Sequence, residues 1–137
     1  MSEYLFVCGT LRPALASGEM KGLVDGLSNL GEGMLPGCLY DLGEYPGAVP
    51  DPRSESRIVG EVLDLPGDQR FLARLDDYEG IDPNDPDSGL FVRVKCEVTL
   101  ADGRKLDCWV YRYNQQTSSM TQIPNGDYLL WLQKQKR

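Results

Sequence analysis

The sequence predicts an α+β domain, and three observations carry that expectation: five apolar runs of strand length, one firm hairpin signal, and two or three short helical stretches. The runs are unevenly spaced, and no internal repeat or low-complexity tract separates them. At 137 residues the chain suits a single domain over residues 1–137, with a core large enough to fold without disulfide or metal staples.

"YLFVCGTL" reads as a first strand that turns sharply at Gly9. In "SGEMKGLVDGLSNLGEG", Met20, Leu23, Val24, Leu27 and Leu30 recur at helical intervals, although Gly22 and Gly26 weaken the helix. "GMLPGCLYDLGEYPGAVPD" predicts a short strand around Cys38 to Tyr40, then an ordered glycine- and proline-rich loop over residues 43–52 that lies above a cleft. "SRIVGEVLDL" gives another strand, and "RFLARLDDYEG" a helix that stops at Gly80. "GIDPNDPDSG" is an acidic loop; its spacing fails the twelve-residue calcium template, so a solvated turn is expected. "VRVKCEVTLADGRKLDCWVYRY" is the hairpin, with Asp102 and Gly103 as a two-residue turn. Pairing Ala101 with Arg104 sets Cys96 opposite Trp109 and Glu97 opposite Cys108, which points the two thiols to opposite faces. "PNGDYLLWLQKQ" closes the chain with Asp127 capping a short helix.

The net charge of −7 and the scatter of basic residues exclude a nucleic-acid surface, and the "KQKR" tail is too short to reverse this. No apolar run approaches the roughly 20 residues that span a bilayer, so no membrane partner is expected. "MSEYLFVCGTL" lacks the basic n-region of a secretory signal, and a cytoplasmic location is the expectation. The chain has no histidine, which removes Ser-His and Cys-His nucleophile pairs and most catalytic zinc sets. Cys8, Cys38, Cys96 and Cys108 show no C-x-x-C spacing and sit in apolar runs, as reduced core thiols do. Neither a metal nor a cofactor is expected.

Acid–base chemistry must therefore fall to a carboxylate, Lys, Tyr or Cys, and one carboxylate is misplaced. Phe71, Leu72, Leu75 and Tyr78 form an apolar stripe at 3.6 residues per turn, and Glu79 falls in it. Asp77 points away and Asp76 lies at the stripe's edge. Glu79 also occupies the last turn, where the negative end of the helix dipole disfavours a carboxylate. A carboxylate in an apolar cleft is harder to ionise, which moves its pKa toward neutrality, where a general base works best. Glu44, in the loop, and Glu61, in a strand, are the rivals, and each suits a structural or solvated role better. Oxyanion donors are most available as backbone N–H groups in two glycine turns, "CGTL" and "YPGA". Those turns comprise Cys8, Gly9, Thr10 and Leu11 in the first and Tyr45 and Gly47 in the second, the candidate donors.

The segments "FVCGTL", "LYDLGEYPG", "IVGEVLDL", "LARLDDYEG", "FVRVKCEV", "CWVYRY" and "IPNGDY", in that order, resemble the γ-glutamylcyclotransferase-like family (γ-glutamylamine cyclotransferase, AIG2-like). The resemblance implies a small mixed β-barrel flanked by short helices. It also implies conversion of a γ-glutamyl amine or amide to 5-oxoproline plus free amine, with Glu79 as the catalytic glutamate and Cys8, Gly9, Thr10 and Leu11 as the substrate-cradling loop. Two positions depart from the family's usual pattern: Cys8 and Phe91 both stand where Tyr is usual. The first leaves the backbone donors intact, and the second takes a hydroxyl from the pocket. A small-molecule binding module of the same fold, without chemistry, is the alternative; an interaction domain using the Trp131 patch is a third. The sequence leaves the leaving amine and the oligomeric state open.

Overall fold

A computed structural model describes residues 3–65, 67 and 69–135; Lys136 and Arg137 of the basic tail lie outside them. The elements run β1 (Glu3–Val7), α1 (Gly18–Asp25), β2 (Ser28–Asp41), β3 (Pro46–Pro50), β4 (Arg57–Leu65), α2 (Gln69–Tyr78), β5 (Phe91–Leu100), β6 (Lys105–Tyr113), β7 (Thr121–Gln122) and α3 (Tyr128–Gln135).

Five strands close on themselves in the order β1-β4-β2-β3-β6, and β6 returns to β1 through a parallel rung between Leu5 and Trp109. β3 and β6 are also parallel, at Ala48 and Arg112, while β1–β4, β2–β4 and β2–β3 are antiparallel, so the barrel is mixed. β5 extends from β6 and touches β2 at Gly33 and Met34. β1 is covered on both faces: Phe6 packs with Val62, Val98 and Val110, whereas Leu5 and Val7 pack with Met20 and Val24 of α1 and Leu75 of α2. This is why "YLFV" reads as a continuous apolar run rather than an alternating one.

Three local expectations are corrected. The segment 43–52 contains a strand, β3, because its prolines fall at the two ends, where a missing N–H costs no ladder bond, and Ala48 and Val49 pair with Leu39 and Cys38. The first helix ends at Asp25. Leu27 N–H bonds back to Val24 O at 3.1 Å and Leu30 belongs to the 14-residue β2, whose pairing with β4 overrides the helical spacing. The hairpin turn has three residues rather than two. Leu100 N–H donates to Arg104 O at 2.8 Å and Gly103 N–H to Leu100 O at 2.9 Å, with Gly103 at φ 92°, the geometry of a turn followed by a bulge. The register consequently slips by one residue, and Cys96 lies directly opposite Cys108. Both thiols are free.

Candidate active site

α2 delivers Glu79 through its end. Ile81 N–H bonds to Asp76 O at 2.9 Å and Gly80 N–H to Asp77 O at 3.1 Å, with Gly80 at φ 76°, which is a Schellman cap. Glu79 is the residue just before that glycine and keeps its own N–H on Leu75 O at 3.0 Å. Leu75 is fully buried and Phe71 and Leu72 are half-buried, as a stripe requires, but Tyr78 is not part of it. It is 49% exposed, because by this point the stripe has reached the mouth of a cavity instead of the barrel wall.

The cavity has a volume of about 360 Å³ and four walls built from five stretches of chain. Phe6 through Leu11 form one wall, Tyr45, Pro46 and Ala48 a second, Tyr78 through Gly80 a third, and Leu90, Phe91 and Tyr111 a fourth. The turn after β1 is held against β3 so closely that a Cβ on Gly9 would meet Pro46 Cγ at 2.7 Å, so any side chain there would force the two walls apart. Arg12 N–H closes the turn on Gly9 O at 2.9 Å. The N–H groups of Gly9, Thr10 and Leu11 donate to no other described residue, and these three residues line the cavity.

Of the residues singled out from sequence, Cys8, Gly9, Thr10, Leu11, Tyr45 and Glu79 line this one cavity. Gly47 does not. It is buried on the other side of β3, where a Cβ would lie 2.9 Å from both Leu42 and Tyr113, so it is a packing position. Phe91 lines the cavity with its ring tilted against Tyr45 and edge-on to Tyr113, at centroid distances of 5.9 and 5.8 Å. The rival acids lie elsewhere: Glu44 is exposed, and Glu61 Oε1 is 3.1 Å from the Arg12 guanidinium. Trp131 is half-buried against the core cluster rather than free on the surface.

Burial first, and the nearby Asp76 second, push the Glu79 carboxyl up to about 7. Burial and then the Glu79 charge push the Cys8 thiol up to about 12 against the opposing pull of Arg12, so Cys8 is a neutral thiol and not a thiolate nucleophile. Tyr111, also raised by burial and by its hydrogen bond to Asp76, stays protonated and donates to Asp76 Oδ1 at 2.8 Å. The same oxygen takes Arg93 Nε at 3.0 Å, and the Arg93 guanidinium lies over the Trp109 ring, 4.4 Å from its centroid.

Two parts of this arrangement escape sequence reasoning. Arg12, 4% exposed, bridges Glu61 and Asp127 at 3.1 and 3.0 Å, and Asp127 in turn caps α3 through Leu130 N–H at 3.3 Å. It locks the end of the β1 turn to β4 and to the last helix, yet nothing local distinguishes a buried Arg from an exposed one. Asp76, the edge residue of the stripe, gains its role from Tyr111 and Arg93, which approach from β6 and β5. Among the described residues no three His, Cys, Asp or Glu side chains converge as a metal site would need. No described helix is long and apolar enough to cross a membrane.

No curated protein matches the chain. Among solved structures, an AIG2-like protein from Mus musculus is 21% identical, covering 92% of this chain and 88% of that one, with a TM-score of 0.69. Protein ytfP from Escherichia coli is 28% identical over 92% and 96% of the two chains, with a TM-score of 0.64. A structure described as a gamma-glutamyl cyclotransferase is 15% identical over 99% and 87%, with a TM-score of 0.65, a likeness of fold. The model of one family matches residues 5–130, a span that takes in the β1 turn, β3, the α2 cap and the start of α3, and on that match the chain belongs to the gamma-glutamyl cyclotransferase, AIG2-like family.

Proposed function

We propose that this protein is a cofactor-independent cyclotransferase that converts a γ-glutamyl amine or amide to 5-oxoproline and a free amine. The observation that carries the reading is that Glu79, whose carboxyl burial pushes up to about 7, lines the same cavity as Gly9, Thr10 and Leu11, whose N–H groups donate to no other described residue. The substrate's α-amine attacks its own γ-carbonyl, so the nucleophile comes with the substrate and the cavity need only hold the folded conformer. A new bond forms between the α-nitrogen and the γ-carbon. Glu79 takes the proton released from that nitrogen, and the N–H groups of the turn stabilise the oxyanion. Collapse of the intermediate breaks the bond to the departing nitrogen, to which Glu79 returns the proton, and the carboxylate is regenerated. No protein nucleophile is required, which agrees with the neutral Cys8.

The test is incubation with a panel of γ-glutamyl amines and amides, with 5-oxoproline detected by mass spectrometry. Stoichiometric release of 5-oxoproline and amine is the expected result. Saturable binding of the same compounds with no product would make the cavity a binding module instead.

A further inference from the structure

The cavity distributes its chemistry unevenly. Glu79 is the sole charged side chain among its described lining residues, and its mouth is apolar. Tyr78 and Leu90, 49% and 48% exposed, are the two large hydrophobic side chains most open to solvent among the described residues, and both line this cavity. An exposed apolar pair beside a half-buried carboxyl is an unusual use of surface. The pair is held in place, because the segment that leaves Gly80 returns beside it: a Cβ on Gly89 would lie 3.2 Å from Gly80 O.

The charges nearby point the same way. Arg12 is committed to Glu61 and Asp127, and Arg93 to Asp76, so neither is free to pair with a substrate carboxylate at the mouth. The segment between Gly80 and Gly89 exposes Asp82, Asp85 and Asp87. A leaving group with its own carboxylate would find no cationic side chain among the described lining residues, and three exposed acids stand on the adjoining segment.

We infer that the departing amine carries an apolar substituent, aryl or alkyl and without a carboxylate, which packs on Tyr78 and Leu90 as the 5-oxoproline moiety forms beneath it. The inference rests on the cyclotransferase reading and adds to it the class of leaving amine. The γ-glutamyl part is the same in every substrate and sits below, between Glu79 and the Gly9 turn, whereas the mouth is where substrates differ.

The wild-type protein is assayed for kcat/KM on γ-glutamyl phenethylamide, γ-glutamyl methylamide and γ-glutamyl alanine. The phenethylamide is expected to exceed the methylamide by about tenfold or more, the discrimination that apolar contact supplies, and the alanine adduct to fall below the methylamide. An alanine adduct as good as the phenethylamide overturns the inference and leaves the cyclotransferase reading intact. Turnover of none of the three overturns both. Tyr78→Ser and Leu90→Ser are then compared by their phenethylamide to methylamide ratio, which is independent of the fraction of folded enzyme. The ratio should collapse toward one; its persistence in both variants overturns the assignment of these two side chains.

Discussion

Glu79 sits where a carboxylate is least comfortable, and that discomfort makes opposite predictions for activity and stability. Glu79→Gln keeps the size and hydrogen bonding but cannot accept a proton, so turnover should fall by roughly 10² to 10⁴ in initial-rate assays. The folded-state pKa, about 7 against an ordinary 4.5, means that stability is fully present below the lower value and is lost as pH rises through the higher one. Urea unfolding of Glu79→Gln and wild type should coincide near the lower limit and diverge in the variant's favour above neutrality, by on the order of 3 kcal/mol. A gap that does not grow with pH would place the carboxyl in water. The wild-type kcat/KM should rise with pH along a limb centred near the folded value. The groups facing Glu79 are Asp76 on its own helix, the neutral Cys8 thiol and the protonated Tyr111 phenol, so Asp76 is the charge that loads it. Asp76→Asn, which retains an oxygen for Tyr111, should move that limb to lower pH, and a limb left in place would exclude Asp76 as a positioning residue. Exposed Asp77 serves as the control, since Asp77→Asn should leave the limb where it was.

At the scale of elements, the site depends on how three segments are tied to one another. Arg12 binds the β1 turn to β4 and to the cap of α3 from a buried position. Arg12→Ala leaves Glu61 and Asp127 without their shared cation and should cost about 3–5 kcal/mol in denaturant unfolding. Loss of well under half of that would mean that the bridge is solvent-screened. The elements that were legible in the sequence share one property: their signal is complete within a few residues. Asp127 before an apolar patch, Gly80 after the α2 stripe and the apolar run of β1 each declare themselves locally. β3 was not legible, since its two prolines read as loop and only the neighbouring β2 edge makes a strand of it. The hairpin was visible, but its register turned on whether Gly103 ended a two-residue turn or formed a bulge, a choice the flanking side chains leave nearly balanced. Within the candidate site, Glu79 stood out because it breaks a local rule, and the Gly9 turn because a glycine ends an apolar run. Gly47 shared the glycine signal without the location, and Asp76 and Arg12 acquire their roles from partners distant in sequence.

At the scale of the molecule, the barrel is closed by contacts between the first strand and the sixth, which no window of sequence contains. Its net charge of −7 surrounds a cavity whose charged side chain is also acidic. A γ-glutamyl methylamide is a neutral zwitterion, whereas a γ-glutamyl alanine carries a net negative charge and must approach against that field. Raising ionic strength from about 10 mM to about 150 mM shortens the Debye length from roughly 30 to 8 Å, so kcat/KM should rise for the alanine adduct and stay nearly flat for the methylamide. Equal responses would show that the field does not reach the mouth. The pinched base of segment 80–89 carries a different kind of consequence. Since Gly80 and Gly89 already touch, the chain between them hangs from a closed neck, and closing a loop of twice the length costs only about 0.6 kcal/mol more. The segment can therefore be rewritten in length and composition while Tyr78, Glu79 and Leu90, which flank the neck and line the cavity, are left undisturbed, so the charge beside the opening can change without altering the opening itself.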